Sequence, residues 1–151
     1  MNLEKDLQQK KPFKTEQQRA IVNLFFTSKF VENKLQKSHK QYGVTMKQYN
    51  ILRILKGAGK AISTQVIRER MIDRMSDISR IVDRMIDKNL LSKCVNANDK
   101  RLVDIVLTDH GKQLLEDIGE SGGIDEMILG NMTEQEAKTL NKLLDKIRGY
   151  D

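Results

Sequence analysis

Apolar residues recur along this chain at two different periods, and the change of period marks where its elements lie. The clearest run is Ile78, Ile81, Val82, Met85 and Ile86, spaced i, i+3, i+4, i+7 and i+8, which sets all five on one helical face for burial. At about 100° per residue, Ser76, Arg80, Asp83, Arg84 and Asp87 turn the other way. The helix is expected to stop near Lys88, because Asn89 follows and asparagine accepts the left-handed conformation in which helices often end. After it, Leu91, Lys93, Val95 and then residues 102–107 suit extended strands. Between them lies the polar tract Asn96-Ala97-Asn98-Asp99-Lys100-Arg101, which predicts a hairpin with a cationic tip. Alone, such a hairpin reads as a surface turn whose Asp and Arg pair in solvent. Directly after an amphipathic helix, the order is that of a winged helix-turn-helix and points to double-stranded DNA.

The flanking segments extend this pattern. Residues 1–14 are polar and lysine-rich with Pro12, and are expected to be a flexible N-terminus. From Thr15 to about Lys40 a helical pattern carries Ile21, Leu24, Phe25, Ser28 and Leu35. Roughly 25 residues of helix span about 38 Å, more than a small core needs, so part of the apolar face is expected to meet a second chain. Gly43 breaks the pattern, and Thr45 with Gln48 forms a capping box for a helix that turns Tyr49, Leu52 and Leu55 inward and ends at Gly57-Ala58-Gly59. Ser63 caps a short helix through about Met71, and the turn Ile72 to Met75 leads into the Ser76 helix; the second helix of such a pair enters the major groove. Thr108 opens a helix with Leu114, Leu115 and Ile118, which Gly119, Gly122 and Gly123 are expected to weaken or interrupt at about 1 kcal/mol each. Thr133 with Glu136 gives a second capping box for a last helix bearing Leu140, Leu143, Leu144 and Ile147. The expected fold class is mainly α with a small β-hairpin wing. A winged helix-turn-helix lobe at 43–111 is joined to a helical dimerisation region at 15–42 and 112–151.

Composition narrows the function. A 38% hydrophobic fraction supports a folded core, and 32% charged residues with one proline suit a mostly helical protein. Net charge is +5 over residues 1–44, +6 over 45–112 and −5 over 113–151, a basic middle of the kind that faces phosphates, although a charge surplus also serves as a solvated face. Cys94 is the single cysteine, so neither an intramolecular disulfide nor a Cys-based zinc site can form within one chain, and it reads as a small strand hydrophobe rather than a redox switch. His39 and His110 are far apart in sequence; no metal or cofactor is expected. No apolar run of about 18 residues and no signal-peptide pattern occurs, so no membrane partner is expected and the protein reads as cytoplasmic. No Ser/His/Asp order with an elbow and no GxxxxGK loop is present, which argues against an enzyme.

Four strings then carry a family resemblance: YGVTMKQYNILRIL at 42–55, SRIVDRMIDKNLL at 79–91, the Asp-x-Arg wing pair Asp99 and Arg101, and LTDHGKQLL at 107–115. In this order and at these spacings the chain resembles the MarR family of bacterial transcriptional regulators from about Thr15 to Ile147. The resemblance implies an obligate homodimer with intertwined terminal helices, a recognition helix at Ser76–Lys88 and a wing at Asn96–Arg101. It also implies that a small, often aromatic effector binds between the dimerisation helices and the DNA lobe. Phe25, Phe26, Tyr42, Met46 and Tyr49 could line such a site but are equally good core residues. The chain departs from the family pattern at Arg68, where a small residue is common, at Ile72, where a turn glycine is common, and at Lys100, which replaces a frequent arginine and loses bidentate geometry.

The expected contacts with DNA follow from these placements. Ser76, Asp77, Ser79 and Arg80 lie at the N-terminal half of the recognition helix, where side chains reach base edges; Arg80 can bond guanine O6 and N7, or else pair with Asp77 or Asp83. Arg84, one turn on, is a phosphate candidate. Ser63, Thr64 and Gln65 open the supporting helix, whose amides and hydroxyls suit a phosphate oxygen. In the wing, Asn98, Lys100 and Arg101 approach the backbone or minor groove, Asp99 fixes Arg101, and Lys93 is a further phosphate candidate. The alternative is a winged-helix interaction module whose basic face binds an acidic protein.

Overall fold

Most helices begin on a side-chain cap that can be read in the sequence. The computed structural model describes residues 3–120 and 123–150. A short helix α1 (Leu3–Asp6) comes first, within the polar N-terminal stretch: Leu3 is buried and Glu4 Oε1 accepts from Arg19 Nε at 2.7 Å. Thr15 Oγ1 accepts the Gln18 amide and starts α2 (Glu16–Lys40), the long helix expected from the sequence. Both halves of the Thr45/Gln48 capping box form at the start of α3 (Met46–Ala58), which ends on Gly59 at φ +64°, a left-handed position that glycine adopts without strain.

A two-residue strand β1 (Ile62–Ser63) follows, which no period could reveal at that length. Ser63 then caps α4 (Thr64–Arg70). The next helix, α5 (Ile78–Asp87), starts two residues later than expected, capped by Asp77, and closes through Asn89 at φ +57°. Strands β2 (Leu91–Val95) and β3 (Val103–Leu107) pair antiparallel from Leu91↔Leu107 to Val95↔Val103. Strand β1 adds on the other side of β3 with Ile62 opposite Ile105, so the expected hairpin is one part of a three-stranded sheet ordered β1-β3-β2.

Helix α6 (Asp109–Glu120) begins on Thr108, whose Oγ1 accepts the Gly111 amide and donates to Asn89 O at 2.6 Å. Gly119 does not interrupt α6; Gly122 lies outside the described residues, and Gly123 sits at the N-cap of α7 (Ile124–Leu129). The Thr133/Glu136 capping box closes on α8 (Glu134–Ile147).

The core belongs to the lobe between α3 and α6. Ile51, Leu52, Ile67, Ile78, Met85 and Ile105 are fully buried there, each stabilising the lobe by about 1.5–3 kcal/mol. Of the α5 stripe, Ile78, Val82 and Met85 are buried and Ile81 and Ile86 half-buried, which fixes the polar face of α5 outward. By contrast, α8 buries none of its residues, and Ile21, Leu24, Phe25, Phe26 and Phe30 of α2 remain exposed.

Candidate nucleic-acid interface

The outward face of α5 and the wing beside it carry most of the candidate residues. Ser79, Arg80 and Arg84 are exposed, and the Arg80 side chain keeps 81% of its surface open although its Nε lies 3.4 Å from Asp77 Oδ2. That separation is loose for a charged hydrogen bond. In solvent such a pair contributes about 0–1 kcal/mol, so a guanine edge or a phosphate can displace it. Asp77 serves first as the N-cap, accepting the Arg80 amide at 3.4 Å.

Ser76 departs from its expected orientation. It precedes the helix, is 7% exposed, and its hydroxyl donates to Asp73 Oδ2 at 2.9 Å. The helix begins at Ile78, two residues beyond Ser76, and the Ser76 hydroxyl is taken by the Asp73 carboxylate. Asp73 also accepts the Met75 amide at 3.1 Å and pairs with Lys47 Nζ at 2.9 Å across to α3. The Lys47 ammonium, then the Ser76 hydroxyl and the Met75 amide, hold the Asp73 carboxyl below the usual carboxylate range. Nearby, Asn50 Oδ1 accepts the Ile72 amide. Asp73 and Asn50 thus set the turn that aims α5. The Asp73-x-x-Ser76 spacing was the available signal for the first; nothing local marks Asn50.

At the N-terminus of α4, Ser63 Oγ accepts the Val66 amide at 3.3 Å, Thr64 is half-buried, and exposed Gln65 donates to Glu69. In the wing, Asp99 Oδ1 accepts the backbone amide of Arg101 at 2.9 Å, so it fixes the main chain of Arg101. Asn96 is a second organiser: its Oδ1 accepts the amides of Asn98 and Asp99, and its Nδ2 donates to Asp104 Oδ2 at 2.7 Å. These Asx-type bonds hold Asn98, Lys100 and Arg101 exposed at the tip. Lys93 Nζ pairs with Asp83 of α5 at 3.1 Å, tying the wing to the helix while leaving both exposed. Cys94 is half-buried, its thiol directed at Asp104 O.

Behind this face, an open cavity of about 580 Å³ lies between α2, α3 and α5, with Lys40, Met46, Lys47, Ile81 and Arg84 in its wall. Of the aromatic and methionine residues considered for such a site, only Met46 lines it. Tyr49 stacks on His39 at 4.2 Å, Tyr42 donates to Asp117 O, and Phe25 and Phe26 lie exposed on α2. His39 is 1% exposed, and burial alone lowers its pKa; among the described residues neither ring nitrogen has a hydrogen-bond partner. No helix of the described residues is long and apolar enough to cross a membrane.

Comparison with known proteins agrees with this geometry. A family model described as transcriptional regulator SarA/Rot matches residues 33–118. The chain is 30% identical over 135 residues to the HTH-type transcriptional regulator PecS of Dickeya dadantii, covering 87% of this chain and 81% of that protein. It is 32% identical over 88 residues to the HTH-type transcriptional repressor MdtR of Bacillus subtilis, which covers 58% of this chain and spans only 56% of that relative. A crystal structure of a MarR variant from E. coli complexed with operator DNA superimposes with a TM-score of 0.75 at 21% identity, over 97% of this chain and 99% of that one. With its lobe spanned by the SarA/Rot model and most of its length matched by PecS, the chain belongs to the MarR-type winged helix-turn-helix transcriptional regulators.

Proposed function

We propose that the protein acts in the cytoplasm as a homodimeric repressor, laying one α5 into each of two major grooves of a pseudo-palindromic operator. The observation that carries this reading is the exposed N-terminal half of α5, with Ser79 and Arg80 held out by the Asp77 cap and the Asp73 turn, beside a wing whose cationic tip is ordered by Asn96 and Asp99. Arg80 reads guanine, while Arg84, Lys93, Lys100 and Arg101, with Ser63, Thr64 and Gln65, meet the backbone, as does Asn98 from the wing. Asp77 and Ser76 act by holding α5 in place.

Dimerisation is supported by the unburied apolar side chains of α2 and of α8, where Leu140, Leu143 and Ile147 stay exposed although the helix has no buried residue of its own. A lone subunit would present too large an apolar surface to remain folded and monomeric. The lobe at 43–111 would then read DNA and the segments 15–42 and 112–151 would form the dimer. The cavity shared by α2, α3 and α5 supports control by a small-molecule effector, since a ligand touching Lys40 and Arg84 bears on the long helix and the recognition helix at once.

The test is selection of bound duplexes from a random pool, followed by a salt titration on the winner. The expected result is a palindromic site bound by a dimer, with affinity falling by about 0.9 log units per phosphate contact for each tenfold rise in salt. Binding to no duplex at low salt would transfer the basic face to an acidic protein partner.

A further inference from the structure

The turn before α5 leaves two apolar side chains in open solvent. Met75 is 95% exposed and Ile72 92%, more than any other large apolar residue described; Phe25 follows at 73% and lies on the α2 stripe that a second subunit would cover. The turn carrying Met75 is not frayed. Its amides are held by Asn50 and Asp73, and Asp73 is itself held by Ser76 and Lys47, so the outward setting of both side chains is built in. Met75 lies two residues before the Asp77 cap, with Ser79 and Arg80 in the first turn beyond it.

We infer that Met75 is a specificity-determining residue that reads the C5-methyl group of thymine in each half-site. This rests on the DNA-binding reading above. The N-terminal end of a recognition helix is the part that reaches base edges. A side chain without strong hydrogen-bonding groups gains little from phosphates or from the donors and acceptors of the groove floor. The apolar feature that the major groove offers is the thymine methyl. Methionine suits it, being unbranched, flexible and polarisable, so it can adjust its reach to a methyl whose depth varies with local DNA shape. The exposed thioether is covered on binding, which gives the most exposed of the described large apolar residues its role.

The test replaces each thymine of the selected duplex, one symmetric pair at a time, by uracil, which removes the methyl and keeps the pairing. Wild type is expected to lose about fourfold in affinity per half-site at one symmetric pair, the effect of covering one methyl-sized group. Met75→Ala is expected to bind the thymine and uracil duplexes alike at that pair, and to melt with wild type because its side chain touches little of the fold. Indifference of wild type to uracil at every thymine overturns the inference, and so does discrimination that persists in Met75→Ala. Failure to bind any duplex overturns the DNA-binding reading itself, a different result from binding without thymine discrimination.

Discussion

Substituting Gly111 by alanine tests how rigidly the wing is tied to the recognition helix. Gly111 is the third residue of α6, and an added Cβ would stand 2.3 Å from Leu90 O and 3.2 Å from Leu90 C, both backbone atoms. Relief needs a separation of about 1 Å, given ordinary carbon–oxygen contacts of about 3.3 Å. Neither side yields freely. The Leu90 amide donates to Met85 O at 2.9 Å, Leu90 O accepts the Thr108 amide at 3.2 Å, and Thr108 Oγ1 donates to Asn89 O.

Overpacking of this kind costs about 1–3 kcal/mol, and the strained Thr108–Leu90 hydrogen bond adds about 1 kcal/mol. Alanine returns about 1 kcal/mol of helix propensity. The net destabilisation is about 1–3 kcal/mol, or about 2–12 °C in melting temperature for a chain of this size. Thermal unfolding at fixed protein concentration measures it. Because residues 89–91 join the end of α5 to β2, duplex affinity measured well below the melting point should also fall, alike for all sequences. A variant that melts at or above wild type would show that the junction gives way freely and would refute the reasoning.

Arg80→Ala should cost about 1–3 kcal/mol of binding per half-site contact and relax preference at one symmetric pair of positions, with folding intact; uniform weakening with a lower melting temperature would assign it to structure. Arg101→Ala should weaken all duplexes alike and lower the salt slope by about one unit, whereas a loss confined to one operator would make it a base reader. Asp73→Ala should lower the melting temperature and weaken every duplex equally, because the buried Ser76 hydroxyl loses its acceptor; adding Ser76→Ala should restore part of the stability in a denaturant series, and no recovery would remove that hydrogen bond from the account. For pH, burial holds the His39 imidazole below its ordinary value of about 6.5, so the unfolded chain binds the proton more readily. Its stabilising contribution is fully present above that value and is lost as pH falls below it towards the lower native pKa. His39→Phe should flatten the melting temperature between pH 7 and 5, and an unchanged slope would exonerate His39.

The elements that were legible beforehand are those closed by bonds over three or four residues. Thr15, Thr45, Ser63 and Thr133 each meet an amide three positions on, and Asn89 takes the left-handed φ where α5 ends. The five-residue stripe of α5 was readable because a period of 3.6 repeats within it, and the two strands because their period differs. In the candidate site, the exposed setting of Arg80 and Arg84 followed from the helical period, and that of Lys100 and Arg101 from the polar tract between the two strands.

Tertiary structure decided what depends on partners distant in sequence or on stretches shorter than a period. Strand β1 exists because Ile62 finds Ile105. The short α1 is anchored by burial of Leu3 and by Arg19, fifteen residues from Glu4. Lys47 reaches Asp73, Asn50 reaches Ile72, and Lys93 reaches Asp83 across the fold. Ser76 bonds a carboxylate only three residues back, but the lobe buries it there and Lys47 of α3 pairs with that same Asp73 carboxylate. The sequence by itself therefore determined the helices with side-chain caps, the hairpin and the basic face, since local hydrogen bonding and hydrophobic period act within a few residues. The aim of the recognition helix and the outward setting of Met75 were decided only when side chains tens of residues apart came within hydrogen-bonding reach.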